Sequence, residues 1–437
     1  MKLATTERFE IPGGALAFVE ASHAIPLVSV GVSLRSGSVC DPIGKEGLAR
    51  LTARLMRRGC AGLTANEIDN RVDILGAELS GDTGLSSISM GGQVISRNIE
   101  PFAELLARIV STPTFDEREF ERLRRQTLAE IVEARDSDRS LAHKALRRNL
   151  FGGHLYGRGA GGTSKSLAAI TLDDVRGFYA AHFTQPNVVI GFAGDVQSAE
   201  KIAVKLVEKL PKRAAPTVEL THPAQLSGRH LTFVDKPDRT QTQILIGTLA
   251  SWPHDSDHVA LTVANTVFGG TFTSRMMREV RSKRGWSYGA SSSVAIERRR
   301  HSLSMGTAPG AADAAACLNL EIGLVESLVS GGISARELGF VKKYLTRSHA
   351  FEIDTAVKRV HQALDVELLN LPADYYSSHL GNVKNVTLEQ ANDALKNRID
   401  PENLRIVVVG TADSMLDGIK AGVERLSSVT VEPYELE

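Results

Sequence analysis

The sequence lacks a surplus of charge of either sign. Its 51 basic residues are matched by 51 acidic residues, so no overall field favours nucleic acid or an anionic membrane surface. Cysteine is also scarce, and Cys40, Cys60 and Cys317 are widely separated without a CxxC pair. This spacing suits neither a disulfide framework nor a cysteine-based zinc site, and we expect all three to be buried apolar residues.

Long apolar runs are missing as well. No stretch reads as an uninterrupted apolar run of the roughly 20 residues that a membrane-spanning helix needs. The first thirty residues lack the basic start, apolar run and small-residue cleavage site of an export signal. We therefore expect a cytoplasmic protein that contacts neither membrane nor nucleic acid, or a periplasmic one if a leader has been removed.

Two parts of the chain repeat one order of elements. Residues 182–210 read as a Pro-Asn turn, a buried strand and an amphipathic helix, and residues 399–426 repeat that order. The matching Gly194 and Gly410 stand 216 residues apart, close to half the chain. The pattern predicts a duplicated domain.

Each half begins with strands, continues with a long helical stretch and returns to strands, which is an α+β pattern. Between the halves lies a segment rich in proline and small polar residues. We predict an amino-terminal domain at 1–211, a linker at 212–228 and a carboxy-terminal domain at 229–437. The clearest predicted strands and helical stretches are 27–34, 243–249, 116–150 and 335–370.

Three segments carry a family resemblance: GKEGLARLTARLMRRG (44–59), TLAEIVEARD (127–136) and FGGTFTSRMMREVRSKRGWSYGASS (268–292). With the duplicated domain ends, they resemble the insulinase, pitrilysin and mitochondrial-processing-peptidase family over nearly the whole chain. Active members are inverzincins, in which an H-x-x-E-H helix supplies two zinc ligands and a general base, and a distant Glu completes the site. The resemblance implies two homologous sandwich-like α/β units with antiparallel sheets covered by helices, forming half of a clamshell.

The zinc motif itself is degenerate. It falls on RLTAR, so Arg50 and Arg54 replace both histidines and Ala53 replaces the general base. A guanidinium has no lone pair to offer a metal, and two cations repel a dication. We therefore expect no metal or other cofactor in this chain, and we expect Glu130, which matches the third-ligand position, to pair with Arg50 or Arg54.

The carboxy-terminal half holds the expected functional pair. Arg281 and Tyr288, seven residues apart, match the Arg and Tyr that in this family reach into the zinc site of the other half. An Arg can donate a fork of hydrogen bonds to substrate carbonyls, and a Tyr hydroxyl can donate to a developing oxyanion. The alternative is a helix-end Arg and a Tyr packed in a core, and Arg284 is the competing register.

The resemblance implies a heterodimeric metalloendopeptidase in which this zinc-free subunit is inactive alone. The partner would be a homologous H-x-x-E-H chain that carries zinc, and the substrate an extended peptide that binds by strand addition. A candidate sheet edge in this chain is 77–90. The non-enzyme alternative is a scaffold, like the core subunits of respiratory complexes that share this fold.

Four further signals favour structural roles. Ser287 lies in a G-x-S-x-G sequence, but a serine hydrolase would need a strand before it and a helix after it, and the pattern is the reverse. His254 and His258 have metal-like spacing but sit at a helix start. We expect residues 269–274 to form a tight turn and residues 298–301, a basic run, to form a solvated turn.

Overall fold

The computed structural model describes residues 6–436, which belong to two compact units. Residues 1–5 and Glu437, which the predicted domains include, lie outside the described residues. Each unit has its own hydrophobic core. The segments of unit 1 are Met1–Ile131, Arg158–Glu219 and Ala350–Leu371, and those of unit 2 are Val132–Gly157, Leu220–His349 and Pro372–Glu437.

The predicted domains were continuous ranges, and here the structure differs. The crossing between residues 219 and 220 lies inside the predicted linker 212–228, but 132–157 groups with unit 2 and 350–371 groups with unit 1. Each unit therefore takes one helical segment from the opposite half of the chain. Hydrophobic periodicity predicts that such a helix has an apolar face, but not which sheet the face covers.

The strands are β1 (Glu7–Ile11), β2 (Ala15–Ala21), β3 (Leu27–Leu34), β4 (Gly59–Cys60), β5 (Leu63–Thr64), β6 (Ser80–Thr83), β7 (Ile88–Ile95), β8 (Val188–Gly194), β9 (Arg229–Asp235), β10 (Gln243–Leu249), β11 (Ala290–Val294), β12 (Ser302–Thr307), β13 (Arg405–Gly410) and β14 (Leu426–Pro433). The predicted strands 27–34 and 243–249 are confirmed as β3 and β10.

The α-helices are α1 (Leu48–Met56), α2 (Ala65–Ile74), α3 (Ile99–Ser111), α4 (Glu117–Glu133), α5 (Asp138–Phe151), α6 (Ser164–Ala169), α7 (Leu172–His182), α8 (Ala199–Val207), α9 (His258–Phe268), α10 (Ala314–Gly331), α11 (Ala335–Glu352), α12 (Ala356–Leu368), α13 (Tyr375–Asn385), α14 (Leu388–Arg398) and α15 (Ala412–Ala421). Each long helical stretch predicted from the sequence is two helices, α4 with α5 and α11 with α12.

The sheet of unit 1 has the order β1-β2-β8-β3-β7-β6. Strands β2 and β8 run parallel to each other, and all other neighbouring strands are antiparallel. The sheet of unit 2 has the order β11-β12-β10-β13-β9-β14, in which β13, β9 and β14 run parallel and the other pairs are antiparallel. Five strands of each sheet correspond in order, with β6 and β11 as matching edge strands, whereas the opposite edges differ because β1 is antiparallel to β2 and β14 is parallel to β9. The α+β fold and the duplication predicted from sequence are confirmed.

The exchanged helices cover the centre of each sheet. In unit 1, α12 packs on β2 and β8, and a Cβ on Gly191 would come within 2.9 Å of Val360 and Leu364. In unit 2, α5 packs on β10 and β13, and a Cβ on Gly247 would come within 3.0 Å of Leu146. Glycine at these two positions lets the helix approach the strand closely.

Two expectations, one about apolar runs and one about the cysteines, need correction. The helical segment Ala311–Gly331 is long and apolar enough to cross a membrane by length and composition. It went unrecognised because Asp313, Glu321 and Glu326 interrupt the apolar run; Leu318, Val325 and other side chains from it are buried in the core of unit 2. Cys60 and Cys317 are buried as expected, but Cys40 is only half-buried.

Candidate functional site

Helix α1 of unit 1 carries the degenerate zinc motif. Leu48, Leu51 and Leu55 are buried at helical spacing, which fixes the face that points to the core. The helix start is held by the buried Asp41 carboxylate, which accepts the backbone N–H groups of Gly47 and Ala49, each at 2.8 Å. Burial raises the pKa of Asp41 to about 7, although the two amide hydrogen bonds act in the opposite direction.

Arg54 and Glu130 form a two-point ion pair in the place predicted for the vacated metal. The guanidinium nitrogens of Arg54 donate to the two carboxylate oxygens of Glu130 at 2.8 and 2.7 Å, and a nitrogen of Arg50 lies 3.6 Å from the same carboxylate. Arg54 also donates to the Thr127 hydroxyl. The hydrogen bonds from Arg54 lower the pKa of Glu130. The predicted pairing of Glu130 with Arg50 or Arg54 is confirmed.

These residues do not fit a zinc ion. Zinc needs neutral imidazole, thiolate or carboxylate donors, and here one carboxylate already accepts two guanidinium N–H groups. Ala53, at the position of the general base, ends in a methyl group and lines a cavity together with Arg50, Arg54 and Glu130. Within residues 6–436 there is no group of three or more His, Cys, Asp or Glu residues placed to hold a metal.

In unit 2, Arg281 lies in a short π-helix, Met277–Ser282, rather than in the regular amphipathic helix expected from the sequence. Its guanidinium carbon lies 4.6 Å from the centre of the Phe272 ring, which is itself 69% exposed. The Arg281 side chain forms no ion pair with the part of the chain that the structure describes. Its cation is therefore oriented by an aromatic face and is not neutralised.

Tyr288 follows the turn after this π-helix, and Gly289 separates it from the edge strand β11. Its side chain is 90% exposed. The alternative in which this Tyr packs in a core is therefore wrong. The phenol lines a cavity of about 400 Å³ on the sheet of unit 2, together with Arg139, His143 and small residues of β11 and β12.

Arg284, the competing register, has partners within its own segment. It forms an ion pair with Glu279 at 3.1 Å, donates to the Glu279 carbonyl at 2.9 Å and lies over the Trp286 ring. These contacts explain Arg284 as a residue that stabilises the turn. They leave Arg281 as the arginine with unused donors.

The structural interpretations of Ser287 and His258 are supported. Ser287 is buried, donates to the Gly289 carbonyl at 2.7 Å and accepts the Ala308 N–H at 3.0 Å, and a strand rather than a helix follows it. His258 is buried between the Ser251 hydroxyl and the Tyr375 hydroxyl, while His254 packs against the Trp252 ring. Burial lowers the pKa of His258 to about 4.

Two loop predictions have different outcomes. Residues 269–274 form a turn before a helix, as expected. The basic run 298–301 is not a solvated turn, because its residues are half-buried and Arg299 donates to the Leu220 carbonyl at 2.6 Å. Burial also lowers the pKa of His301 to about 4, and its ring packs against Tyr156.

The predicted sheet edge 77–90 is too long. Only β6, Ser80–Thr83, is an edge strand, because Ile88–Met90 belongs to β7 and pairs on both sides. Sequence reasoning also missed three residues near the candidate sites. Phe272 was assigned only to a turn, although an aromatic residue in a polar turn is a usable signal. Arg57 and Arg58 continue the cationic face of α1 and line the cavity of unit 1 that Ala53 also lines.

Two family models match consecutive parts of the chain. The insulinase model (peptidase family M16) matches residues 17–164, and the peptidase M16 inactive domain model matches residues 169–345. An uncharacterized zinc protease of Mycobacterium leprae is 27% identical over 66% of each chain. The non-peptidase homolog YmxG of Helicobacter pylori is 21% identical over 89% of this chain and 90% of its own.

Solved structures share the fold. A peptidase M16 inactive domain protein from Pseudomonas fluorescens superposes with a TM-score of 0.87 at 25% identity, covering 94% of this chain and 99% of its own. A protease from Helicobacter pylori has a TM-score of 0.85 at 18% identity, covering 93% of this chain and 100% of its own. The chain therefore belongs to the insulinase family of peptidases, M16, as a member of the inactive type.

Proposed function

We propose that this chain is the zinc-free subunit of a two-chain zinc endopeptidase and that it supplies Arg281 and Tyr288 to the active site of its partner. The partner is a homologous chain with an intact H-x-x-E-H motif, which provides the zinc and the general base. The substrate is an extended peptide. Alone, this chain has no peptidase activity, because residues 50, 53 and 54 carry neither metal ligands nor a base.

The two residues have different chemical roles in this proposal. Arg281 donates hydrogen bonds to backbone carbonyls of the substrate and so fixes its position relative to the reacting bond. Tyr288 donates its hydroxyl to the oxygen on which negative charge develops during attack on the peptide carbonyl. Neither role requires a metal in this chain.

The observation that carries the proposal is the exposure of Tyr288. A phenol ring that is 90% exposed contributes little to the packing of its own unit, and exposed aromatic residues are typical of binding sites. Arg281, which belongs to the same segment, has a cation without a carboxylate partner among the described residues. An Arg and a Tyr with unused donors are what an incoming peptide would require.

The test uses the complex reconstituted from this chain and its H-x-x-E-H homologue, with turnover of an unstructured peptide as the readout. Tyr288→Phe removes one hydroxyl and keeps the ring, and we expect it to lower kcat roughly 10² to 10³-fold, as the loss of an oxyanion donor does. Arg281→Ala should lower kcat/KM strongly as well. Arg284→Ala is the matched control and should leave turnover nearly unchanged.

The same experiment addresses the scaffold alternative. Wild-type turnover in both the Tyr288→Phe and Arg281→Ala complexes would contradict the catalytic role and leave this chain a scaffold. A loss confined to Arg284→Ala would show that the functional arginine is the other one. Co-elution of each variant with the partner checks that assembly is intact.

A further inference from the structure

A second site lies in unit 1, on the face of α1 that carries the degenerate motif. It is a cavity of about 530 Å³. Its lining contains four arginines, which stand at helical spacing on or just after α1 and therefore point the same way. Three carboxylates and the edge strand β6 complete the wall, so that the lining consists of Arg50, Ala53, Arg54, Arg57, Arg58, Asp69, Gly81, Asp82, Thr83 and Glu130.

The carboxylates of the lining do not accept hydrogen bonds from all four arginines. Glu130 is held by Arg54, and Arg50 lies at 3.6 Å, beyond a normal hydrogen bond. The contact of Arg57 with the largely exposed Asp69 is longer still, at 3.7 Å.

The remaining contacts are weaker. Among the described residues, the side chain of Arg58 donates only to the neutral amide oxygen of Gln126, at 3.4 Å. Four arginines against the three carboxylates Asp69, Asp82 and Glu130 leave the lining with one excess positive charge, which favours an anion at the arginine wall.

We propose that this cavity binds the carboxylate groups of an acidic, extended peptide segment. A helix rises about 1.5 Å per residue, so the span from Arg50 to Arg58 is about 12 Å. Acidic side chains on alternate residues of an extended chain, which are about 7 Å apart, match a row of cations of this length better than a single phosphate does.

A peptide also suits the opposite wall. Within residues 6–436, strand β6 pairs with β7 alone, so its outer backbone groups are available for hydrogen bonds to an incoming chain. Guanidinium groups recognise carboxylates by paired hydrogen bonds, and the Arg54 and Glu130 pair shows that the cavity already holds one carboxylate in this way.

This site is separate from Arg281 and Tyr288 and does not depend on a partner subunit. Its test therefore uses the full chain alone, and it can fail while the proposed peptidase role stands, or the reverse. The probes are a labelled peptide that alternates Gly and Glu, its matched Gly and Gln counterpart, and inorganic phosphate. Binding is followed by fluorescence anisotropy at two salt concentrations.

We expect the Glu peptide to bind more tightly than the Gln peptide and to weaken at higher salt. The double substitution Arg50→Gln with Arg58→Gln keeps the Arg54 and Glu130 pair and should weaken the Glu peptide about tenfold. The matched control is Arg122→Gln with Arg176→Gln, two arginines of unit 1 outside the cavity, each paired three residues away on its own helix.

A third variant gives an effect of opposite sign, which misfolding cannot imitate. Glu130→Gln removes the carboxylate that competes for Arg54, so the Glu peptide should bind more tightly than it does to the wild-type chain. Equal binding of the Glu and Gln peptides, stronger binding of inorganic phosphate than of the Glu peptide, or no tightening in Glu130→Gln would each overturn the proposal.

Discussion

Arg54 in unit 1 and Arg281 in unit 2 both lie beside the edge strand of their sheet, β6 or β11, but in opposite electrostatic states. Arg54 shares two hydrogen bonds with Glu130, whereas Arg281 lies over the Phe272 ring and has no carboxylate partner among the described residues. A duplicated fold has thus produced one arginine whose charge is compensated inside the protein and one whose charge is available to a ligand. Of the two arginines, only Arg281 therefore has a charge that the described residues leave without a carboxylate partner.

The largest effect is expected when the H-x-x-E-H zinc motif is restored on α1. The triple substitution Arg50→His, Ala53→Glu and Arg54→His restores H-x-x-E-H on α1, with Glu130 already close to position 54. Two imidazoles one helical turn apart and the Glu130 carboxylate form a three-ligand zinc site that leaves one position open. We expect the variant to gain about one zinc per chain by elemental analysis.

The control for that variant adds Glu130→Ala, which should lose most of the gained zinc. If the triple variant retains no more zinc than the wild-type chain after brief chelator treatment, the cluster around Glu130 is not a vacated metal site. Arg54 and Arg281 would then differ only in whether a carboxylate compensates their charge.

A smaller effect is expected from matched substitutions of the two arginines. Arg54→Met leaves Glu130 without its main hydrogen-bond donor in a partly buried place and should lower the free energy of unfolding by about 1 to 2 kcal/mol. Arg281→Met should change it by less than about 0.5 kcal/mol, because its side chain has no compensated partner to lose. Denaturant unfolding of the two variants measures both values, and equal destabilisation would contradict the contrast.

The smallest effect concerns pH. Arg54 lowers the pKa of Glu130 in the folded chain, so this pair contributes stability above the unfolded pKa and loses it as pH falls through the folded pKa. The difference in unfolding free energy between wild type and Arg54→Met should therefore be full at pH 7 and shrink under acid conditions. A difference that is constant with pH would mean that the pair is not responsible for it.

The sequence was sufficient to predict local elements and the pairing of charges, but not which helices pack on the sheet of the opposite half of the chain. Strand β3 was predictable because its apolar residues alternate, and β10 because it is a short apolar run that is buried on both faces. The contact of Glu130 with Arg54 followed from the resemblance and the cost of unpaired charge. The placement of α5 and α12 on sheets built largely from the opposite half could not be predicted from periodicity. The role of Phe272 was missed because nothing in a turn sequence indicates which cation its ring will meet.

The most direct test of the account is to measure zinc and peptidase activity for this chain alone, for its H-x-x-E-H homologue alone and for the mixture. We expect no stoichiometric zinc and no turnover for this chain, zinc in the homologue, and strong turnover only when both are present. One tightly held zinc in this chain that survives brief chelator treatment, or full turnover by the homologue without it, would contradict the account.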